Sequence, residues 1–143
     1  MDSFYVYLNS KDSLDVRKNN NPADFFIQFP KSYQLDGIWT CAVTDVTLLC
    51  DFIPRSKRLY LCCDLVEDSY VRNTSLPILV NIEIESRYKK LQHINYSSPT
   101  YIPVSSNYFN SVHLFLKDED LTPVTFKGDD IHCVLHFKKS WAR

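Results

Sequence analysis

Apolar and polar positions alternate in short runs along this chain, and a period of two is that of β-strands. Residues 4–8 (FYVYL) alternate and are aromatic and β-branched, which predicts a first strand. The polar stretch KDSLDVRKNNNPAD follows as a loop, with Pro22 setting its exit. Residues 25–29 (FFIQF) predict a second strand, stopped by Pro30. Asp36-Gly37 is a turn signal ahead of the longest strand, residues 38–50 (IWTCAVTDVTLLC). Strict alternation there puts Trp39, Cys41, Val43 and Asp45 on one face and Ile38, Thr40, Ala42, Thr44 and Val46 on the other. After a turn at Pro54-Arg55-Ser56, residues 58–66 (RLYLCCDLV) and 78–84 (ILVNIEI) predict two more strands. In the second of these, Ile78, Val80, Ile82 and Ile84 oppose Leu79, Asn81 and Glu83, the pattern of one buried and one wet face. The stretch RYKKLQHINYSS has no clear period and reads as a loop or a single helical turn. Residues 100–104 (TYIPV) predict a short strand, kept to an edge by Pro103. Residues 111–117 (SVHLFLK) and 131–138 (IHCVLHFK) predict the last two strands, separated by the loop DEDLTP, an extended VTF and the turn KGDD.

About eight strands, almost no helix, no repeat and no linker predict one all-β domain over residues 1–143. The loops are very unequal in length, which favours Greek-key crossings over a meander. The expected fold is an eight-stranded antiparallel jelly-roll sandwich, ahead of other β-sandwiches. Composition agrees: the 14% aromatic content suits half-buried pleated surfaces. The 16 Lys+Arg against 17 Asp+Glu lack the basic excess of a nucleic-acid coat, so no specific nucleic acid is expected as a partner. No run approaches the roughly 20 apolar residues of a membrane helix. The opening MDSFYVYLNSKDS lacks the features of a signal peptide, and no membrane insertion is expected. Five cysteines without framework spacing read as reduced thiols of a cytosolic or nuclear setting.

Candidate chemistry thins out on inspection. With only Gly37 and Gly128, no glycine-rich phosphate cradle can form. His132 and His136 have a zinc spacing on a helix, but on a strand they lie about 13 Å apart, too far for one metal. The four histidines do not supply the metal set of a cupin-type enzyme. Cys62-Cys63 is not a CxxC, and on a strand one thiol is expected in the core and the other at the surface. The acidic runs Glu67-Asp68, Asp118-Glu119-Asp120 and Asp129-Asp130 lack the order of a calcium loop. No catalytic residue, cofactor or metal is therefore expected. What remains is contact surface. The last strand leaves as FKKSWAR, and Trp141 is an unusual residue to leave in water. Trp141, Lys138, Lys139, Tyr108 and Phe109 are the candidate subunit-interface residues. Aromatics near loops, Tyr70, Tyr88, Tyr96 and Tyr108, keep a second class open: a β-sandwich module that recognises a glycan, peptide or receptor through its loops.

Several segments, in order, resemble the small jelly-roll minor capsid (penton) protein of Polinton (Maverick) elements and adintoviruses. Phe4-Tyr5-Val6-Tyr7-Leu8-Asn9-Ser10 resembles that family's opening strand, and Asn20-Asn21 before Asp24-Phe25 its approach to the second. The run from Leu35 through Gly37 and Trp39 to Val46 resembles its L-x-G-x-W strand. Leu59-Tyr60 with Cys63-Asp64-Leu65-Val66-Glu67 resembles its L-Y-x-x-x-D-I-V-E. Tyr101-Ile102-Pro103-Val104, Phe109, and Phe126-Lys127-Gly128 through Leu135-His136-Phe137 resemble its C-terminal strands. Thr40-Cys41 and Lys138 depart from the pattern. The resemblance implies a non-enzymatic capsid subunit that forms homopentamers at icosahedral vertices beside a double-jelly-roll major capsid protein. It also implies a place in the virion, after assembly in the host nucleus or cytoplasm.

Overall fold

A computed structural model describes residues 2–13, 17–50, 58–84, 90–124 and 130–140. Its strands are β1 (Ser3–Asn9), β2 (Asp24–Gln34), β3 (Trp39–Cys50), β4 (Arg58–Cys63), β5 (Ser69–Val71), β6 (Thr74–Leu76), β7 (Ile78–Glu83), β8 (Lys90–Asn95), β9 (Ile102–Pro103), β10 (Tyr108–Asp118) and β11 (His132–Lys139).

Four antiparallel ladders nest inside one another: β1 with β11, β2 with β10, β3 with β8, and β4 with β7. They amount to one long hairpin whose tip is the β4–β7 connection. Rolling that hairpin adds two further ladders, β11 with β3 and β10 with β4. The result is two facing sheets, β1-β11-β3-β8 with β9 also on β3, and β2-β10-β4-β7. This is the jelly roll, and its eight long strands build both sheets. Among the described residues, three short strands, β5, β6 and β9, stand beside these eight. The hairpin β5–β6 turns at Arg72 and Asn73, both with left-handed backbone (φ 47° and 63°). The two-residue β9 shares one flank of β3 with β8.

The structure corrects the strand expectations at several places. Within RYKKLQHINYSS, Lys90–Asn95 is the edge strand β8 rather than loop or helical turn, while residues 96–98 are loop as expected. The strand expected at 100–104 shrinks to Ile102–Pro103. Pro30 does not end β2, but the ladder to β10 breaks there: Gln28 faces Ser111, and the next partners are Tyr33 and Phe109. The segment carrying Pro30 bulges out, as a residue without an N–H donor requires.

In β3 strict alternation fails. Val134 faces Asp45 and Leu135 faces Val43, which leaves Thr44 as an extra residue. The bulge resets the parity, so Val46 (0% exposed) and Leu48 turn inward and Asp45 turns out. The Thr44 carbonyl accepts a hydrogen bond from the Tyr96 N–H at 2.9 Å. A second shift, between Leu61 and Cys62 opposite β7, leaves Leu79, Ile82 and Ile84 buried rather than the strict even-numbered set. The core lies between the sheets and includes Phe25, Leu59, Leu61, Leu114, Leu135 and Phe137. Both Cys62 and Cys63 are buried, so neither thiol of the pair is at the surface.

Candidate subunit-contact surface

One end of the sandwich gathers most of the residues expected at an interface. There β1 and β3 begin, β2 and β11 end, and β10 starts. A ring cluster joins the two sheets beneath it. Phe4 stacks on Phe137 (centroids 4.9 Å) and on Tyr33 (5.2 Å), and Phe109 stacks on Tyr33 (5.3 Å) and Phe137 (5.7 Å). Phe4 also meets Trp39 at 5.6 Å, and the Trp39 indole N–H donates to the Asp36 carbonyl at 2.8 Å. Offset and tilted contacts of this kind add to simple burial and stiffen the end.

Gly37 makes the turn into β3 with φ +88°, and a Cβ there would lie 3.0 Å from Lys139 Cε. The absent side chain lets Lys139 lie across the turn, where its Nζ is 3.6 Å from Asp36 Oδ2. Asn107 Nδ2 donates to the Gly37 carbonyl, and the Ser140 N–H to that of Ile38. Beside this turn opens a cleft of about 470 Å³ lined by Phe4, Tyr5, Tyr33, Leu35, Trp39 and polar residues of the end of β2. Three large apolar side chains stand out of the same end: Tyr5 (54% exposed), Ile38 (54%) and Tyr108 (59%).

The expected residues separate by role. Tyr108 is exposed, with its hydroxyl 3.1 Å from Ser32 Oγ. Lys138 is exposed and holds its Nζ 4.4 Å from the Tyr101 ring centroid. Lys139 is half-buried against the Asp36-Gly37 turn. Phe109 points inward at 6% exposure, because its ring completes the cluster between the sheets. Trp141 lies outside the described residues, as does Tyr88. Sequence reasoning missed Tyr5 and Ile38. The signal was present in β1, where both faces are apolar: Val6 and Leu8 are buried while Tyr5 and Tyr7 stay outside.

Tyr70 and Tyr96, two of the loop tyrosines, bond to different partners. Tyr70 is exposed on β5 and donates to Asn73 Oδ1, while Tyr96 is half-buried and donates to the Asn81 carbonyl across the fold. His136 stacks on Tyr5 (4.3 Å), with its Nδ1 2.8 Å from the Tyr101 hydroxyl. Burial first, and Lys138 second, hold its pKa below the ordinary histidine value. His132 instead pairs with Asp130 at 2.9 Å, so the two histidines of β11 serve different partners. Among the described residues no three His, Cys, Asp or Glu side chains cluster as metal ligands, and no helix is long and apolar enough to cross a membrane.

No protein-family model and no curated protein matches this sequence. Among solved structures, the chain is similar to the mavirus penton protein, with a TM-score of 0.63 and 8% identity over 95% of this chain and 99% of that one. At that identity the likeness is one of fold, and it spans nearly all of both chains.

Proposed function

We propose that this chain is a structural capsid subunit, a penton-type protein of the Polinton and adintovirus kind. In this reading it has no catalytic role. It assembles into pentamers at icosahedral vertices of the virion, beside a double-jelly-roll major capsid protein. The observation that carries the reading is the near end-to-end likeness to a viral penton protein. The segments that resemble the penton family run through the same strands, from β1 to β11.

The surface described above gives the assembly a physical basis. A ring of five needs a heterologous contact, in which one patch meets a different patch on the next copy. Tyr5, Ile38 and Tyr108 offer apolar area at one end of the sandwich, rimmed by Lys138, Lys139 and Asp36. Exposed aromatics with a charged rim are the usual anatomy of such contacts. The net charge of −1 leaves little repulsion between copies.

Size-exclusion chromatography with light scattering tests the reading, together with negative-stain imaging. The expected result is a pentamer seen as five-fold rings. A strict monomer at high concentration, with no rings, would count decisively against it.

A further inference from the structure

On the outer face of the five-stranded sheet, at the end away from Lys138 and Lys139, eight outward positions form a grid. One row across the strands is Tyr7, Val134, Asp45 and Asn95; the next is Asn9, His132, Thr47 and His93. With strands about 4.8 Å apart, each row is roughly 14 Å wide. Seven of the eight, all but Asn95, and the loop residue Asp12 line a shallow cavity of about 360 Å³, within the range of small-ligand clefts.

Its polar groups hold one another in place. Asp45 Oδ1 accepts from Asn95 Nδ2 at 2.8 Å and lies 3.4 Å from His93 Nε2. Asn9 Nδ2 lies 3.2 Å from His132 Nε2, and the Asn9 N–H donates to Asp12 Oδ2 at 3.0 Å. Tyr7, by contrast, leaves most of its ring in water at 74% exposure.

This arrangement selects its ligand by exclusion and by fit. An anion would meet the carboxylates of Asp12 and Asp45. A bare cation would need several converging ligands, and the described residues offer no such cluster. A wholly apolar ligand would take water from the amide, imidazole and carboxylate groups, whose hydrogen-bonding capacity beyond their mutual contacts it cannot meet. A neutral ring bearing hydroxyls meets the capacity left over: its C–H face lies on Tyr7, and its hydroxyls add hydrogen bonds to those that Asp45, Asn9 and the two imidazoles already make. We infer that this face binds a neutral saccharide, one or two hexose-type units at the end of a glycan. The inference stands apart from the pentamer reading, because the site is complete within one chain.

The test uses the full chain on an array of neutral, sialylated and sulfated glycans, followed by NMR titration with the free sugar of the best neutral hit. Saturable binding to neutral hexose- or N-acetylhexosamine-terminated glycans is expected. Tyr7→Ala should weaken it about tenfold or more, while circular dichroism and melting temperature stay at wild-type values. Asp45→Asn should weaken it as well and serves as the independent variant. No neutral hit, a preference for sialylated or sulfated glycans, or wild-type affinity in both variants would overturn the inference.

Discussion

Tyr108 and Phe109 are neighbours on β10, and they illustrate how position decides a residue's work. Phe109 is packed against Tyr33 and Phe137, so Phe109→Ala should lower the unfolding free energy by about 3–5 kcal/mol in urea titration. Tyr108 is 59% exposed, and Tyr108→Ala should change stability by less than about 0.5 kcal/mol. Light scattering should nonetheless show weaker self-association for Tyr108→Ala; equal losses of stability in the two variants would contradict the assigned geometry. The cysteines carry the same lesson. Cys41, Cys62, Cys63 and Cys133 are buried. Removal from water pushes the Cys133 thiol up to about 12 and, outweighing Lys117, the Cys62 thiol to about 12 as well. Burial raises Cys41 and Cys63 in the same direction. Only the thiolate reacts readily. Ellman's reagent at mildly alkaline pH should therefore leave these four unlabelled in the native protein and reach all five thiols of the chain in guanidinium. Fast native labelling of two or more would refute this.

At the scale of strands, the bulge at Thr44 is the feature that alternation alone hid. Counting by twos puts Asp45 with Val43, yet the register turns Val46 inward. Val46→Asp should thus cost more than about 4 kcal/mol, as an unpaired buried charge does, whereas Asp45→Asn should cost less than about 1 kcal/mol. Denaturant midpoints that rank the two variants the other way would show the parity to be wrong. The existence of β1, β3, β4, β7, β10 and β11 was legible because burial on one face imposes a period of two over most of each strand, though bulges break the parity within β3 and β7. β8 was not, since it is an edge strand whose inward position opposite Leu48 is Gln92, and whose His93 and Asn95 stand in water. The β5–β6 hairpin escaped notice because its turn residues are Arg72 and Asn73, without the glycine that usually marks such a turn. The candidate contact surface was partly legible. Lys138, Lys139 and Tyr108 come together through β10 and β11, but a strand's sequence does not say which strand lies beside it, so Tyr5 and Ile38 could not be joined to them.

For the whole molecule, acidification offers a test tied to His136. Its folded pKa lies below its ordinary value of 6.5, so the unfolded chain takes up the proton first. The stability it contributes is complete above that value and is lost as pH falls below it. Burial pushes Asp130 up, but its own backbone N–H, Asn9, His132 and Lys11 outweigh this and leave it below 3.8; its contribution fades only in stronger acid. Asp64 has the opposite sign, being raised chiefly by burial, and its protonation returns stability at low pH. The gap in melting temperature between wild type and His136→Gln should therefore narrow as pH drops below about 6.5. A constant or widening gap would remove His136 from that role. The nested ladders have a further consequence for biosynthesis. Ser3 lies against Lys138, so β1 is completed by β11, the most distant strand of the domain. A ribosome must release β11 before β1 has a neighbour, and such distant pairing is intrinsically slow. Products cut short before β11 leave β1 without its sheet partner and the sheet open between β1 and β3.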